Sequence, residues 1–345
     1  MKSLIALSFV LLTHHIAWAA PVPVFDNAFA DMTYPSTAGN YLVYSQRVGQ
    51  SHQIMQVKKD HLYGAARDVS AISAQDMVRY GVALENGDMA YVSNRTNQII
   101  PWLKGKTNIA IQAGLFTGVL TPNHLDVSAD GHTWVFDSTL ETSRILRIRK
   151  QFLHPQLPSE LLGQGWRLYH EKLWIKKPSY PATTSGMSNT FAKPHLFVFQ
   201  RGTPELTMLG DGFDASLSAD GTWMVFVRED HGNFDLWKQN IDGTGLQRLT
   251  KSSFADVEPD ISPDGQKVVF VSNRDSRGDV LQTFIHVLDL KSGNIQSITS
   301  GMGTTDGGPA WLDNHTIIFH SNRDPQSPDN GTVDNWRLWQ VALPK

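Results

Sequence analysis

The chain has 345 residues, of which 41% are hydrophobic, and a formal net charge of −3 at pH 7. The apolar content is ample for a core, and the weakly acidic balance gives no general electrostatic attraction to nucleic acid. Cysteine is absent, which excludes thiol catalysis and disulfide stapling.

The first residues have the pattern of a targeting segment. Lys2 supplies a positive charge, Leu4 to Leu12 are mostly apolar, and Ala17-Trp18-Ala19 fits the small-x-small rule for a cleavage site. We therefore expect a signal peptide over residues 1–19 and a mature domain over residues 20–345, in the periplasm or outside the cell. The apolar run is too short to span a bilayer comfortably, so no transmembrane segment is expected after cleavage.

Short apolar runs cut by tight turns recur along the rest of the chain. The turn glycine, or an asparagine in its place, falls at Gly39, Gly87, Gly131, Gly221, Gly265 and Asn314. The gaps are 48, 44, 90, 44 and 49 residues, and repeats of about 40 to 50 residues with four strands each are typical of propeller blades. An aromatic residue follows each turn, at Tyr44, Tyr91, Phe136, Phe226, Phe270 and Phe319, which predicts one packing position repeated around a ring.

The number of blades depends on how residues 152–209 are interpreted. Counting the third strand of each repeat gives seven four-stranded blades, with Leu173–Ile175 as the strand that follows the missing turn marker. If that stretch is one insertion in the third repeat, the count is six. The sequence thus predicts an all-β protein with a single closed β-propeller of seven blades, or alternatively six. Val22–Phe25 are expected to supply the strand that the last repeat lacks, closing the ring and removing both sheet edges.

Several residues carry a resemblance to a known family. Ser262-Pro263-Asp264-Gly265, the strand after it and Ser272-Asn273-Arg274-Asp275 resemble the repeat of the TolB-like β-propellers, and Ser321-Asn322-Arg323-Asp324 repeats the last motif. The resemblance implies a propeller without the α/β domain that precedes it in TolB itself. Arg274, Asp275, Arg323 and Asp324 are expected to tie a strand end to a neighbouring blade.

A candidate site follows from the register of the repeats. The position seven residues before the turn marker lies near the start of the innermost strand, which faces the channel, and it holds Tyr80, His124, Asp214, Glu258 and Gly307. With the nearby Asp256 and Asp306, we expect the channel-mouth site to contain Tyr80, His124, Asp214, Asp256, Glu258 and Asp306. Several carboxylates and one histidine could bind a cation or a basic peptide segment.

No hydrolase elbow, phosphate loop or zinc-binding His-Glu-x-x-His motif occurs in the sequence. The favoured interpretation is a monomeric, non-enzymatic module that binds another envelope protein or a small ligand, without a catalytic residue or cofactor. The alternative is an enzyme that uses the channel, such as a metal-dependent lyase acting on acidic sugars. That lyase would need several histidines converging on Mn²⁺ or Ca²⁺, whereas only His124 falls at the channel position, and His195, His286 and His320 fall on other strands.

Overall fold

The structure is a computed structural model. It describes residues 19–25, 30–49, 51–62, 66–69, 78–93, 100–104, 108–110, 122–139, 166–169, 173–176, 194–203, 205–332 and 336–343. The predicted signal peptide lies almost entirely outside these ranges. None of the helices described is long and apolar enough to cross a membrane.

The described strands form six blades around one axis, and within each blade they follow one another from the innermost strand outward. The first blade contains β2 (Asp31–Ala38), β3 (Tyr41–Val48), β4 (Ser51–Lys58) and β5 (Arg67–Asp68), and the second contains β6 (Val78–Ala83), β7 (Met89–Ser93), β8 (Ile100–Lys104) and β9 (Asn108–Ala110). The third contains β10 (Leu125–Val127), β11 (Thr133–Thr139), β14 (Pro194–Gln200) and β15 (Glu205–Asp211). Its sheet continues outward with β13 (Leu173–Lys176) and then β12 (Trp166–Tyr169).

The last three blades complete the circle. The fourth blade contains β16 (Phe213–Leu217), β17 (Trp223–Asp230), β18 (Asn233–Asn240) and β19 (Gln247–Arg248), and the fifth contains β20 (Asp256–Ile261), β21 (Lys267–Ser272), β22 (Phe284–Asp289) and β23 (Ile295–Ser297). The sixth contains β24 (Asp306–Trp311), β25 (Thr316–Ser321), β28 (Arg337–Ala342) and β1 (Val22–Pro23). The connections between strands contain a hairpin, formed by β26 (Arg323–Asp324) and β27 (Ser327–Gly331). They also contain two 3-10 helices, Lys59–His61 and Arg274–Ser276.

The third blade explains the blade count. Its second strand, β11, pairs with β14, so the chain between them is an insertion within one blade. The strand expected to follow the missing turn marker of a seventh blade, Leu173–Ile175, belongs instead to β13, which pairs in parallel with β15 on the outer side of the same sheet. The described residues therefore match the alternative prediction of six blades. The seven-blade count also used Ile145–Ile148 as the third strand of one repeat, and those residues lie outside the described ranges.

The two ends of the propeller meet in the sixth blade, as predicted. β1 pairs antiparallel with β28, placing Val22 opposite Gln340, and Val24 N–H donates to the Leu338 carbonyl at 2.8 Å. Val24 is buried in the same cluster as Leu338. The outermost strand of the last blade thus comes from the beginning of the domain.

The Asp-Gly turns have the structural role that their chemistry predicts. In the fourth blade, Ser218 Oγ donates to Asp220 Oδ1 at 2.6 Å and accepts the Trp223 N–H at 3.2 Å. Gly221 adopts φ +65°, a conformation that glycine reaches at little cost. Equivalent bonds form around Asp130 and Asp264, so one local motif sets the entry to the second strand in three blades.

The core lies between adjacent blades. The six aromatic residues that follow the turns are all at most 3% exposed, which confirms the repeated packing position. In one cluster, Val135 and Leu196 of the third blade pack with Met224 and Phe226 of the fourth. Among the described residues, each of the hydrophobic clusters contains side chains from at least two blades.

A second periodic feature joins the blades near the axis. Asp126 Oδ2 accepts the Leu217 N–H of the next blade at 2.7 Å, and Asp260 Oδ2 accepts the Trp311 N–H of the next blade at 2.9 Å. The side chains of Ser36 and Ser216 accept equivalent N–H groups at 3.1 and 3.2 Å. We call the set of these positions on the six blades the inner ring: Ser36, Val82, Asp126, Ser216, Asp260 and Ala310.

Candidate functional site

The innermost strands of all six blades enclose a channel with a cavity of about 490 Å³. Its walls run from Tyr34 and the corresponding residues of the other blades to the turns that join the first and second strands. The inner ring lies along this wall. A cavity of this size can hold a small molecule or a short chain segment.

One end of the cavity is bounded by a ring of residues that lie two positions before the inner ring. We call it the mouth ring: Tyr34, Tyr80, His124, Asp214, Glu258 and Gly308. Five of the innermost strands carry a register shift at this point, and in those five the mouth-ring residue has φ between +48° and +53°. A β-bulge re-aims a side chain, and a left-handed backbone at a non-glycine residue costs about 1–2 kcal/mol.

Half of the mouth ring is aromatic. The ring centroids of Tyr34 and Tyr80 lie 6.0 Å apart at 63°, and those of Tyr80 and His124 lie 5.0 Å apart at 59°. His320, on β25 behind Gly308, extends the wall with its ring 5.0 Å from Tyr34 at 61°. Successive rings therefore turn by about the angle between adjacent blades of a six-bladed propeller. Tyr34 is 41% exposed, so this wall is open to solvent.

The other half of the mouth ring, which we call the acidic half, contains the carboxylates Asp214 and Glu258 together with Gly308. Glu258 Oε2 accepts the Gly308 N–H at 2.5 Å. Burial and the charge of Asp214 raise the pKa of Glu258 to about 7, against the opposing effects of that hydrogen bond and of His124. Burial also raises the pKa of Asp214, and the charge of His124 opposes this rise. The acidic half therefore holds more carboxylate than the local positive charge can balance.

The acidic surface continues into the inner ring. Burial raises the pKa of Asp126 to about 7 and that of Asp260 to about 6, although both carboxylates accept hydrogen bonds from the next blade. Both side chains line the cavity. Two successive layers of the channel wall thus carry carboxylates whose ionised forms are disfavoured by their surroundings.

His124 is the cation of the mouth ring. Its Nδ1 lies 2.9 Å from Oδ1 of Asp137, whose side chain is only 3% exposed. Burial lowers the pKa of His124, but the charges of Asp214, Asp137 and Glu258 and the hydrogen bond to Asp137 outweigh burial and raise the pKa to about 9. Asp137 also accepts the Asp214 N–H at 3.2 Å, so this one carboxylate positions two members of the mouth ring.

The structure brings together four of the six residues predicted for the site: Tyr80, His124, Asp214 and Glu258. The sixth blade contributes Gly308 rather than Gly307, and sequence reasoning missed Tyr34. Both departures have the same cause, because the hairpin between the mouth ring and the turn marker is two residues shorter in the first blade and one shorter in the sixth. A Pro follows the mouth-ring residue at Tyr34, Glu258 and Gly308, and this signal could have identified Tyr34.

The other two predicted residues, Asp256 and Asp306, do not join the mouth ring, and the expectation that their side chains stay accessible is wrong. Asp256 is buried and accepts two hydrogen bonds from Arg274 at 2.6 and 2.7 Å. Asp306 is buried and accepts hydrogen bonds from Arg323 at 2.9 and 2.5 Å. Each ion pair joins residues of the same sequence repeat.

The Ser-Asn-Arg-Asp motif therefore supplies a structural arginine. Arg323 also donates to the Ser300 carbonyl, in the connection from the fifth blade, at 2.8 Å. Asp275 instead accepts a hydrogen bond from Ser297 at 2.6 Å and lies 3.1 Å from His286 Nε2. These contacts correct the expectation that all four charged residues tie a strand end to a neighbouring blade, since Arg274 and Asp275 act within the fifth blade.

The histidines near the channel differ in what they contact. Within the described ranges, no group of three or more His, Asp or Glu side chains is placed to hold a metal ion. His320 does contact the mouth ring, although it lies on the second strand as predicted. Its Nδ1 accepts the Tyr34 N–H at 3.3 Å, and burial lowers its pKa to about 3, so it is a neutral part of the wall.

Comparison with solved structures identifies the fold. TolB from Acinetobacter baumannii superposes with a TM-score of 0.52 at 14% identity, over 92% of this chain and 65% of that chain. A protein described as TolB from Agrobacterium tumefaciens gives 0.52 at 16% identity, over 91% of each chain. Oligogalacturonate lyase from Vibrio parahaemolyticus gives 0.51 at 11% identity, over 94% of this chain and 93% of that chain. The chain thus has the fold of the TolB-like β-propellers.

The similarity found by comparing sequences covers a smaller part of the chain than the structural similarity does. No family model matches the chain. An uncharacterised protein from Agrobacterium fabrum, Atu1656, is 33% identical over 100 residues, which is 27% of this chain and 34% of that protein. The match therefore spans about a third of the length of that relative.

Proposed function

We propose that this TolB-like β-propeller is a non-enzymatic binding module that captures a cationic group at the mouth ring. The group belongs to another envelope protein or to a small ligand, and the module acts in the periplasm or outside the cell. The location rests on the targeting segment in the sequence, and the binding role rests on the channel.

The charge of the cavity wall is the observation that carries this proposal. Six acidic residues line the cavity, whereas His124 and Lys59 are the cationic residues among the lining positions. His124 is already paired with Asp137, and Lys59 Nζ donates to the Leu312 carbonyl at 2.8 Å. An incoming cation would therefore meet more carboxylates than these two cations can neutralise, and it would favour their ionised forms.

The same wall argues against the alternative function. A lyase for acidic sugars must hold a polyanionic substrate, and such substrates are usually bound by arginine and lysine. The fold that this chain shares with oligogalacturonate lyase does not assign a reaction. If incubation with oligogalacturonate and Mn²⁺ formed an unsaturated product, detected by ultraviolet absorbance, the alternative would be favoured over the binding role.

The test uses a basic peptide as the probe. Binding of a fluorescent oligolysine peptide to the full domain is measured at several salt concentrations, beside an oligoglutamate peptide of the same length. The double variant Asp214→Asn, Glu258→Gln should bind oligolysine at least about 10-fold more weakly and with less salt dependence. Its melting temperature should stay near that of the wild type.

A matched control changes the same two charges elsewhere. Asp68→Asn with Glu229→Gln removes two exposed carboxylates that do not line the cavity, and it should bind oligolysine like the wild type. Equal binding by the mouth variant and the wild type across the salt range would show that the mouth is only a hydrated rim. A large loss of stability in the mouth variant would make Asp214 and Glu258 structural.

A further inference from the structure

We propose that the cation recognised by the mouth ring is an alkylated ammonium group, with its apolar substituents on the aromatic half and its charge toward Asp214 and Glu258. This inference rests on the proposed function and specifies the chemistry of the ligand. It follows from the division of one ring into two different halves.

The aromatic half is built to present ring surface at the mouth. Its neutral ring faces come from Tyr34 and Tyr80, whose planes meet at 63°, and from His320, whose plane meets that of Tyr34 at 61°, whereas His124 carries a positive charge. Rings inclined in this way form the walls of a box rather than a flat stack. Cations placed over tyrosine faces are attracted by the negative face of the ring, and quaternary ammonium groups are typical ligands of such aromatic sites.

At the sixth position of the mouth ring, the glycines leave room for the ring of His320, which extends the aromatic surface. A Cβ atom on Gly307 would lie 2.6 Å from His320 Nε2, and one on Gly308 would lie 2.7 Å from His320 Nδ1. The two glycines therefore let the imidazole lie against the backbone of β24. Because the Tyr34 N–H must donate, His320 Nδ1 is the acceptor, and the neutral ring carries its proton on Nε2.

Nε2 of this buried histidine is directed toward the acidic half. A Cβ atom on Gly307 would also lie 3.2 Å from Glu258 Oε2, so the imidazole N–H and the carboxylate flank the same point. Among the described contacts, the hydrogen bond of this imidazole is made through Nδ1. The imidazole of His320, a residue that is 6% exposed, thus lies near the carboxylate that would face the cation.

The acidic half supplies two carboxylates, each of which already accepts one backbone hydrogen bond. Glu258 Oε2 is occupied by the Gly308 N–H, and Asp214 accepts a hydrogen bond from the Glu258 backbone. A primary ammonium needs about three acceptors and a hard metal ion needs about six oxygens. An alkylated ammonium needs only negative charge on one side and apolar surface on the other, which is what the mouth ring offers.

The experiment compares three small probes of nearly the same shape or charge by isothermal titration calorimetry. Choline carries a trimethylammonium, ethanolamine carries a primary ammonium, and 3,3-dimethylbutan-1-ol is the neutral isostere of choline. Choline should bind at least about 10-fold more tightly than either of the others. Affinity of choline no greater than that of ethanolamine would overturn the inference.

Variants separate this inference from the proposed function. Tyr80→Leu should weaken choline binding by about 5-fold or more, whereas Tyr80→Phe retains the ring face and should bind choline like the wild type. If oligolysine binds but choline is not preferred, the inference is wrong and the proposed function stands. If neither binds, both are wrong.

The same group can come from a free compound or from a trimethylated lysine. A lysine peptide and its trimethyllysine form are therefore titrated beside choline. Tighter binding of the trimethylated peptide than of free choline would place the ligand on a protein, and the reverse would indicate a small molecule. Binding of the two peptide forms with equal affinity, together with no choline binding, would overturn the inference.

Discussion

The carboxylate of Asp126 is predicted to destabilise the propeller at neutral and alkaline pH. Its ionised form is disfavoured by burial and by the charge of Asp260, so its pKa rises from 3.8 to about 7. A group whose pKa is raised on folding binds more protons in the folded state than in the unfolded state. The free energy of unfolding should therefore fall as the pH rises from about 4 to about 7, and it should not recover above that.

Replacing Asp126 by Asn tests the size of this effect. The amide oxygen can still accept the Leu217 N–H, which lies 2.7 Å from the carboxylate in the wild type. The rise in pKa from 3.8 to about 7 sets an upper limit of about 4 kcal/mol, at about 1.4 kcal/mol per pKa unit. Asp126 lines the cavity, where solvent screens its charge, so the expected gain at about pH 8 is about 1–2 kcal/mol.

The assay is urea denaturation of both proteins at several values between about pH 4 and pH 9. The variant should gain stability over the wild type progressively across this window. Asp220→Asn is the matched control, because hydrogen bonds from Ser218 and Thr222 lower the pKa of Asp220 and the sign reverses. That variant should be less stable than the wild type by a nearly constant amount from about pH 5 upward, and the difference should shrink only on acidification below about pH 4. An Asp126→Asn variant that is no more stable at pH 8, or whose difference from the wild type is independent of pH, would refute the reasoning.

Three further outcomes are expected. Asp137→Asn should lower the pKa of His124 from its value of about 9, and NMR titration of the imidazole would show it; an unchanged pKa would mean that Asp137 does not hold the charge. Asp306→Asn leaves its buried arginine partner without a counter-charge and should cost about 3–5 kcal/mol in denaturant unfolding; a loss under 1 kcal/mol would contradict a tightly held pair. Val24→Ala should cost about 2 kcal/mol because this side chain is 1% exposed, whereas Val22→Ala, at 48% exposed, should change stability little; equal effects would argue against the closure described.

The fold was predictable because the turns that separate its strands are formed by residues close together in the sequence. Ser218, Asp220 and Gly221 form one turn through contacts within five residues, so their recurrence marks each hairpin whatever the distant structure is. The blade count was harder for the opposite reason. Leu173–Lys176 has the apolar pattern of the strand that follows a turn marker, and only its parallel pairing with Glu205–Asp211 shows that it extends the outer side of the third blade.

The mouth ring was partly predictable for a geometric reason. A fixed distance from the turn found Tyr80, His124, Asp214 and Glu258, because those blades have hairpins of the same length. It failed at Tyr34, where the hairpin is shorter. Spacing also cannot show where a side chain ends, so the carboxylate of Asp306 was placed in the channel although Arg323, far along the chain, holds it inside the blade.

The pairing of β1 with β28 has a consequence for how the domain folds. Most paired strands within a blade are close in sequence, apart from β11 and β14, and can pair after short loops close. The contact of Val22 with Gln340, in contrast, closes almost the whole domain into one loop. Contacts so distant in sequence carry the largest closure entropy and form late. We therefore expect the ring to close in a slow final step, and the reverse step to set the lifetime of the native state. The pairing in the sixth blade would then control the unfolding rate. Weakening it would shorten the lifetime of the protein in the presence of protease more than it lowers the free energy of unfolding.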